Sequence, residues 1–294
     1  MQTLSNKLLY GLAVSALSGL ARLPLGLAYW LGARLGDLLY LVLAERRRVT
    51  LANLTLAFDT DKTAAERRRL ARTIFRNLGQ HLVDFSHLSQ LTPSTFATMC
   101  HVEGLEHIEA LLQRRMGLLV LSAHFGSWEL APAMALCLTT PVHVIVRPLD
   151  NPVLQRLAEA YRQRCGYRAI PRRAALTECL KVLRRGEIVA VLMDQSGLQR
   201  ESVQVEFFGT KAYTSVGPAL LALRTGCPVV SAFLIRAGRG RHRLVFSQEI
   251  PVRRTGNVQQ DLVENTRAFT YIIESYVRRY PDHWFWLHRR WKQR

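Results

Sequence analysis

His124 and Glu129 bracket a turn in the stretch L-L-V-L-S-A-H-F-G-S-W-E-L, Leu118 to Leu130. An imidazole oriented by a carboxylate is a general base near neutral pH, because a carboxylate on one ring nitrogen fixes the tautomer and leaves the other nitrogen free. Five steps along a continuous helix would put the two side chains roughly 140° apart, off any common face. Cooperation therefore requires His124 on the loop and Glu129 in the first turn of a following helix. Gly126 and Ser127 supply the bend, with Ser127 as the N-cap. The alternative is a satisfied histidine beside a first-turn glutamate favoured by the helix dipole.

Other polar residues stand where strands are expected to end. Arg147 follows the β-branched run Val142 to Val146 and lies near His124 if the two strands are neighbours; its guanidinium suits phosphate, a carboxylate or Glu129. A capping or surface arginine is the other reading. Asp194-Gln195 closes the apolar run Ile188 to Met193, where an aspartate can orient an acceptor, balance an arginine or cap a loop. Phe207, Phe208 and Gly209 set two aromatics ahead of a loop, as the wall of an apolar channel or as core. Thr214 and Ser215 are expected as N-caps first and substrate contacts second. Ser122, Ser127 and Ser196 lie near strand ends, yet none sits in G-x-S-x-G. There is no Walker A or dinucleotide fingerprint and no zinc spacing. With no nucleophile or metal motif, direct transfer with His124 activating the acceptor is the simplest chemistry.

The elements that must position these residues alternate. Leu118 to Leu121 reads as a strand buried on both faces. Strands are expected at 142–146, 167–170, 188–193, 228–235 and 243–250, and helices at 152–165, 174–185, 215–225 and 258–280. Asn151-Pro152 starts one helix and Gly166 ends it. The segment 59–90 reads as helices. This alternation predicts an α/β fold, an αβα sandwich with a mostly parallel central sheet and function at the strands' carboxyl ends.

Before it, Leu8 to Ala44 is apolar but interrupted by Arg22, Pro24, Arg34 and Asp37. Its longest charge-free run, Leu8 to Ala21, is 14 residues, short of the ~18–20 that span a bilayer. Two helices lying in or dipping into the interface fit this better than a clean span, and the basic cluster Arg46-Arg47-Arg48 follows at once. A signal peptide and a pair of ordinary buried helices are the competing readings. The expected division is residues 1–48, N-terminal membrane-associating apolar helices, and 49–294, the α/β domain.

Across 294 residues, 40 Lys and Arg stand against 22 Asp and Glu, a net charge of +18. Such a charge suits anionic partners: nucleic acid, acidic headgroups or an acidic carrier protein. The C-terminal run W-F-W-L-H-R-R-W, Trp284 to Trp291, suits interfacial anchoring, stacking on single-stranded nucleic acid, or packing on the domain. Five dispersed cysteines without C-x-x-C read as reduced and buried.

H-F-G-S-W-E resembles the H-x4-D/E motif of the bacterial lipid A late acyltransferases, the lauroyl- and myristoyltransferase family. The resemblance continues, in the family's order, through R-P-L-D-N-P (Arg147 to Pro152), M-D-Q (Met193 to Gln195), F-F-G-T-K-A-Y-T (Phe207 to Thr214) and the C-terminal run. It implies a membrane-associated O-acyltransferase on the cytoplasmic face of the bacterial inner membrane. No cofactor is implied; the co-substrate is an acyl thioester, acyl carrier protein or CoA. The implied acceptor is a glycolipid hydroxyl on a Kdo-bearing lipid A precursor, with a lysophospholipid or mannosylated lipid as alternatives. In that reaction His124 is the base and Glu129 its orienting carboxylate. Arg147 and the backbone N–H groups near Gly126 and Ser127 serve the oxyanion or a phosphate, while Arg147, Asp194, Gln195, Phe207, Phe208, Gly209 and Thr214 contact substrates. A nucleic-acid-binding protein and a noncatalytic lipid-binding scaffold are the other classes; the N-terminal apolar segment is needless for the former.

Overall fold

The computed structural model of the chain describes residues 2–291. Four helices come first: α1 (Gln2–Arg22), α2 (Leu25–Val42), α3 (Ala44–Phe58) and α4 (Ala64–His87). Pro24 stands at the break between α1 and α2, where its fixed φ and missing N–H suit a helix start. Thr63 and Glu66 form a reciprocal capping box that starts α4. α2 and α4 cross at backbone distance: a Cβ on Gly79 would lie 1.9 Å from the Gly32 carbonyl oxygen, and one on Gly36 2.3 Å from that of Phe75. Asp37 of α2 accepts from Arg72 Nε (2.6 Å) and Arg76 Nε (2.9 Å) of α4.

Then follow α5 (Pro93–Met99), β1 (Cys100–Glu103), α6 (Leu105–Leu112), β2 (Leu118–Ser122), β3 (Val142–Val146), α7 (Pro152–Gln163), β4 (Arg168–Pro171), α8 (Ala175–Arg184) and β5 (Ile188–Leu192). The chain ends with the hairpin β6 (Ser202–Phe207) and β7 (Thr210–Ser215), then α9 (Gly217–Thr225), β8 (Val229–Gly238), β9 (Arg241–Phe246) and α10 (Val258–Arg279). Asn151 caps α7 by accepting from Val153 and Leu154 N–H, as its sequence signal predicts.

The main sheet has seven strands in the order β1-β9-β8-β2-β5-β3-β4. β8, β2, β5, β3 and β4 run parallel; β9 is antiparallel to β8 and carries β1 parallel to itself. A largely parallel sheet is thus borne out, with a reversed edge. Side chains alternate between its faces: Leu119 and Leu121 meet α8, α9 and α10, whereas Leu118 and Val120 meet α5, α6 and α7. Both faces of β2 are covered, which explains its unbroken apolar run.

Two local expectations are corrected. No α-helix follows the histidine turn; a 3-10 helix spans Ala131–Cys137 instead. An α-helix begun at Trp128 would need residue 132 to donate to the Trp128 carbonyl, and Pro132 has no N–H. Helix α9 begins after Thr214 and Ser215, which belong to β7, and Ser215 Oγ accepts only from Gly217 N–H (3.2 Å). Neither is a helix N-cap.

Candidate active site

β2 and β5 are parallel neighbours with Ser122 opposite Leu192. His124 and Asp194 therefore lie two residues past matching positions on adjacent strands. Met193 N–H donates to Ser122 O (3.1 Å), extending the pairing one step further. The outcome is a hydrogen bond of 2.9 Å between His124 Nδ1 and Asp194 Oδ1. Asp194 is buried, and its second oxygen accepts from Trp284 Nε1 at 2.7 Å.

Burial opposes charge on both groups. For Asp194 the imidazole, followed by the Trp284 N–H, outweighs burial and holds the carboxyl below its ordinary range. For His124 burial pulls the pKa down, but the Asp194 charge and hydrogen bond, aided by Glu129, outweigh it and raise the imidazole above its usual value. An ionised Asp194 accepts, so Nδ1 carries the proton and Nε2 keeps a free lone pair. The His124 side chain retains 25% of its exposure against 1% for Asp194. A base buried on its orienting side and open on the other can receive a proton from a bound hydroxyl.

Glu129 is not the hydrogen-bond partner of His124 that the sequence leads one to expect. Its carboxylate is engaged by Arg162 of α7, Nε to Oε2 at 2.8 Å and Nη2 to Oε1 at 2.5 Å, a bidentate pair largely out of solvent. Without a helix at Trp128, Glu129 is turned toward α7, and its influence on His124 is through space. Burial raises its pKa, yet the Arg162 pair more than reverses this and the carboxyl stays ionised.

The turn is pinned on both sides. Gly126 has φ +57°, and a Cβ there would lie 1.9 Å from the Leu234 carbonyl oxygen. Its N–H donates to His283 O (2.8 Å), and Phe285 N–H donates to His124 O (3.0 Å). Ser127 is buried and donates its hydroxyl to Asp84 of α4. Through this hydroxyl Ser127 anchors the turn. Trp128 stacks on His81 with ring centroids 3.9 Å apart and meets the His124 ring edge-on at 5.6 Å. Burial pushes His81 down to about 4, so it is a neutral stacking partner.

The remaining expected site residues scatter. Arg147 is 70% exposed and faces Asp150 at 3.4 Å; β5 lies between β2 and β3, so its strand is no neighbour of the histidine's. Gln195 is half-buried beside Asp194. Phe207 and Phe208 are core residues, packed on Trp284, Trp286 and Trp291. Phe208 and Gly209 form a two-residue hairpin turn with φ +55° and +71°. Phe208 N–H donates to Glu274 (2.7 Å), and Arg278 lies 4.4 Å over its ring. Thr214 is buried and accepts from Arg290. The C-terminal aromatics are likewise internal: Trp284 and Trp286 are buried, with Trp286 donating to Pro281 O at 2.6 Å. Saturated indole N–H groups and full burial favour packing over interfacial anchoring for these two rings.

Sequence reasoning missed three partners. Asp194 was legible as a strand-end acid, but its pairing with His124 required knowing that β5 lies against β2. Arg162, in the last turn of an amphipathic helix, reads as a residue placed for the helix dipole and carries no signal of a partner on the histidine turn. Asp84 shows a faint one, a single acid inside the apolar stretch Leu82 to Phe85.

The profile of the family described as bacterial lipid A biosynthesis acyltransferase matches residues 2–293. The chain is 28% identical over 287 residues to the lipid A biosynthesis lauroyltransferase of Escherichia coli K12, covering 96% of this chain and 91% of the relative. It is equally 28% identical over 276 residues to that organism's lipid A biosynthesis palmitoleoyltransferase, covering 93% and 87%. A phosphatidylinositol mannoside acyltransferase of Mycobacterium tuberculosis is 25% identical over 193 residues, 65% of this chain and 59% of the relative. With a profile match over nearly its whole length and an imidazole poised by a carboxylate at adjacent strand ends, the chain belongs to the bacterial lipid A biosynthesis acyltransferase family, whose members transfer acyl groups.

Proposed function

We propose that this acyltransferase moves a fatty-acyl chain from an acyl thioester, acyl carrier protein in the first instance, to a hydroxyl of a Kdo-bearing lipid A precursor. The observation that carries the reading is the His124–Asp194 pair at the carboxyl ends of neighbouring strands. His124 Nε2 takes the acceptor hydroxyl's proton as its oxygen attacks the thioester carbonyl. A C–O bond forms, the tetrahedral intermediate collapses, the C–S bond breaks, and the imidazolium returns the proton to the leaving thiolate. Asp194 holds the tautomer and stabilises the imidazolium; Glu129 with Arg162 fixes the outer flank of the turn. No serine or cysteine nucleophile is required.

The substrates are amphiphiles, and the surface suits them. Leu8, Leu12, Leu27, Trp30, Leu38 and Leu41 of α1 and α2 are exposed, an apolar face that fits a lipid interface. α2 is the one described helix long and apolar enough to cross a bilayer, by length and composition alone. Its glycine contacts and Asp37 ion pairs bind it along α4, which carries Arg67, Arg68, Arg69, Arg72 and Arg76. So charged a partner favours a helix lying in the interface of the inner membrane's cytoplasmic leaflet over one that spans it. A small cleft of about 20 Å³, lined by Ile74, Leu78, Trp128 and Phe285 but also by Asn77, Arg236 and Asp282, adjoins the rings that flank His124.

Mass spectrometry of total lipids from cells with the active protein and with its His124→Ala variant tests this. One additional acyl group on a lipid A precursor in the active strain alone is expected. The gain appearing on a mannosylated lipid or lysophospholipid would reassign the acceptor, and no gain on any lipid would refute the proposal.

A further inference from the structure

Asp84 is a buried carboxylate that the chemistry above does not use. It sits on α4, and four side chains from four other parts of the fold converge on it. Tyr29 of α2 donates its hydroxyl to Oδ1. His242 Nε2 of β9 lies 3.2 Å from the same oxygen. Ser127, three residues past His124, donates to Oδ2. Arg236 Nη2 of β8 reaches Oδ2 at 2.7 Å and Ser127 Oγ at 3.1 Å. Asp84, Ser127 and His242 are all buried and Tyr29 is 2% exposed. A lone carboxylate there would be costly, and this donor set offsets the cost only while all its members hold their places. Burial alone would raise the Asp84 pKa; His242, Arg236 and Ser127 reverse that and keep it ionised well below the usual carboxylate range.

We infer that Asp84 is a positioning residue for acyl transfer, fixing the His124–Ser127 turn through the Ser127 hydroxyl and tying that turn to α2 through Tyr29. The inference rests on the reading of His124 as the base. The turn has two anchors. One is backbone, Gly126 and His124 against His283 and Phe285; the other is this carboxylate. Tyr29 sits on the buried side of the helix whose opposite side exposes Leu27, Trp30, Leu31 and Leu38, so the element that would meet lipid is one side chain removed from the turn that carries the base. Displacing a base by about 1 Å can cost on the order of 100-fold in rate without changing ground-state binding.

The test compares the purified full-length protein with Ser127→Ala, Tyr29→Phe and the double variant, using an acyl thioester and lipid A precursor in mixed micelles. Ser127→Ala is expected to lower kcat about tenfold or more with KM within about twofold, and Tyr29→Phe to lower kcat in the same sense. The double variant should lose less than the product of the two, since both act through one carboxylate. Thermal midpoints measured alongside should stay above the assay temperature for every variant. Unchanged kcat in both single variants, or losses that multiply independently, would overturn the inference. Full activity in His124→Ala would instead overturn the reading of the base on which it stands, a result distinguishable because it concerns a different variant.

Discussion

His124 is raised above the ordinary imidazole value by Asp194 against the pull of burial, and this has a direct kinetic consequence. A general base must be neutral, so kcat/KM rises with pH through its pKa, and here the acid limb should fall above the ordinary ~6.5. Asp194→Asn removes the charge that raises it. The limb should then move to lower pH while the maximal rate drops by about 10²–10⁴-fold, because the amide favours neither the right tautomer nor the imidazolium. A limb that stays put in that variant would detach Asp194 from the imidazole. The Glu129–Arg162 pair gives a different signature. Glu129→Gln and Arg162→Met should each lower stability by about 3–5 kcal/mol, since each strands a partly buried partner. The double variant should lose less than the sum, by about 1–3 kcal/mol, as denaturant unfolding would show. Strict additivity would mean that the pair contributes nothing as a pair.

At the scale of elements, the turn depends on close backbone approach. Gly126→Ala would drive a methyl into the Leu234 carbonyl at a positive φ, and should abolish acyl transfer with a fall in thermal midpoint. Gly79→Ala should pry α2 from α4, where the Cβ would meet the Gly32 backbone, at a cost of about 1–3 kcal/mol, read as a lower unfolding midpoint. Six strands of the main sheet and the longer helices were legible in the sequence because apolar runs of strand length and helix signals such as Asn151-Pro152 act locally; β1 and the β6–β7 hairpin, short or half-polar, were not among the expected strands. The missing helix after Trp128 was also written locally, in Pro132, but the serine and glutamate before it imitate a helix start. Strand order was not legible: that β5 inserts between β2 and β3 is a long-range outcome, and it decides that Asp194 rather than Arg147 reaches His124. The tryptophans of the C-terminus were ambiguous for another reason, because aromatic and basic composition alone suits an interface as well as a core.

For the whole molecule, the excess of 18 positive charges and the apolar face of α1 and α2 are the features on which the proposed membrane contact rests. Leu38 and Leu41 are 54% and 67% exposed, so replacing both with Gln removes little internal packing. Each leucine buried in a lipid interface contributes about 1.5–3 kcal/mol at most, so co-flotation with anionic vesicles should weaken at least tenfold while the thermal midpoint holds. Equal flotation would locate the membrane contact elsewhere. A wild-type protein that binds vesicles through high salt fits this surface; one released by salt together with nucleic acid does not.

The most direct measurement is the initial rate of acyl transfer from an acyl thioester to a purified Kdo-bearing lipid A precursor, followed by product mass, for the wild-type protein and His124→Ala. The wild type should add one acyl chain and release one thiol per turnover, with His124→Ala slower by at least about 10²-fold and equally well folded. Comparable rates in the two proteins would contradict the assignment of His124 as the base.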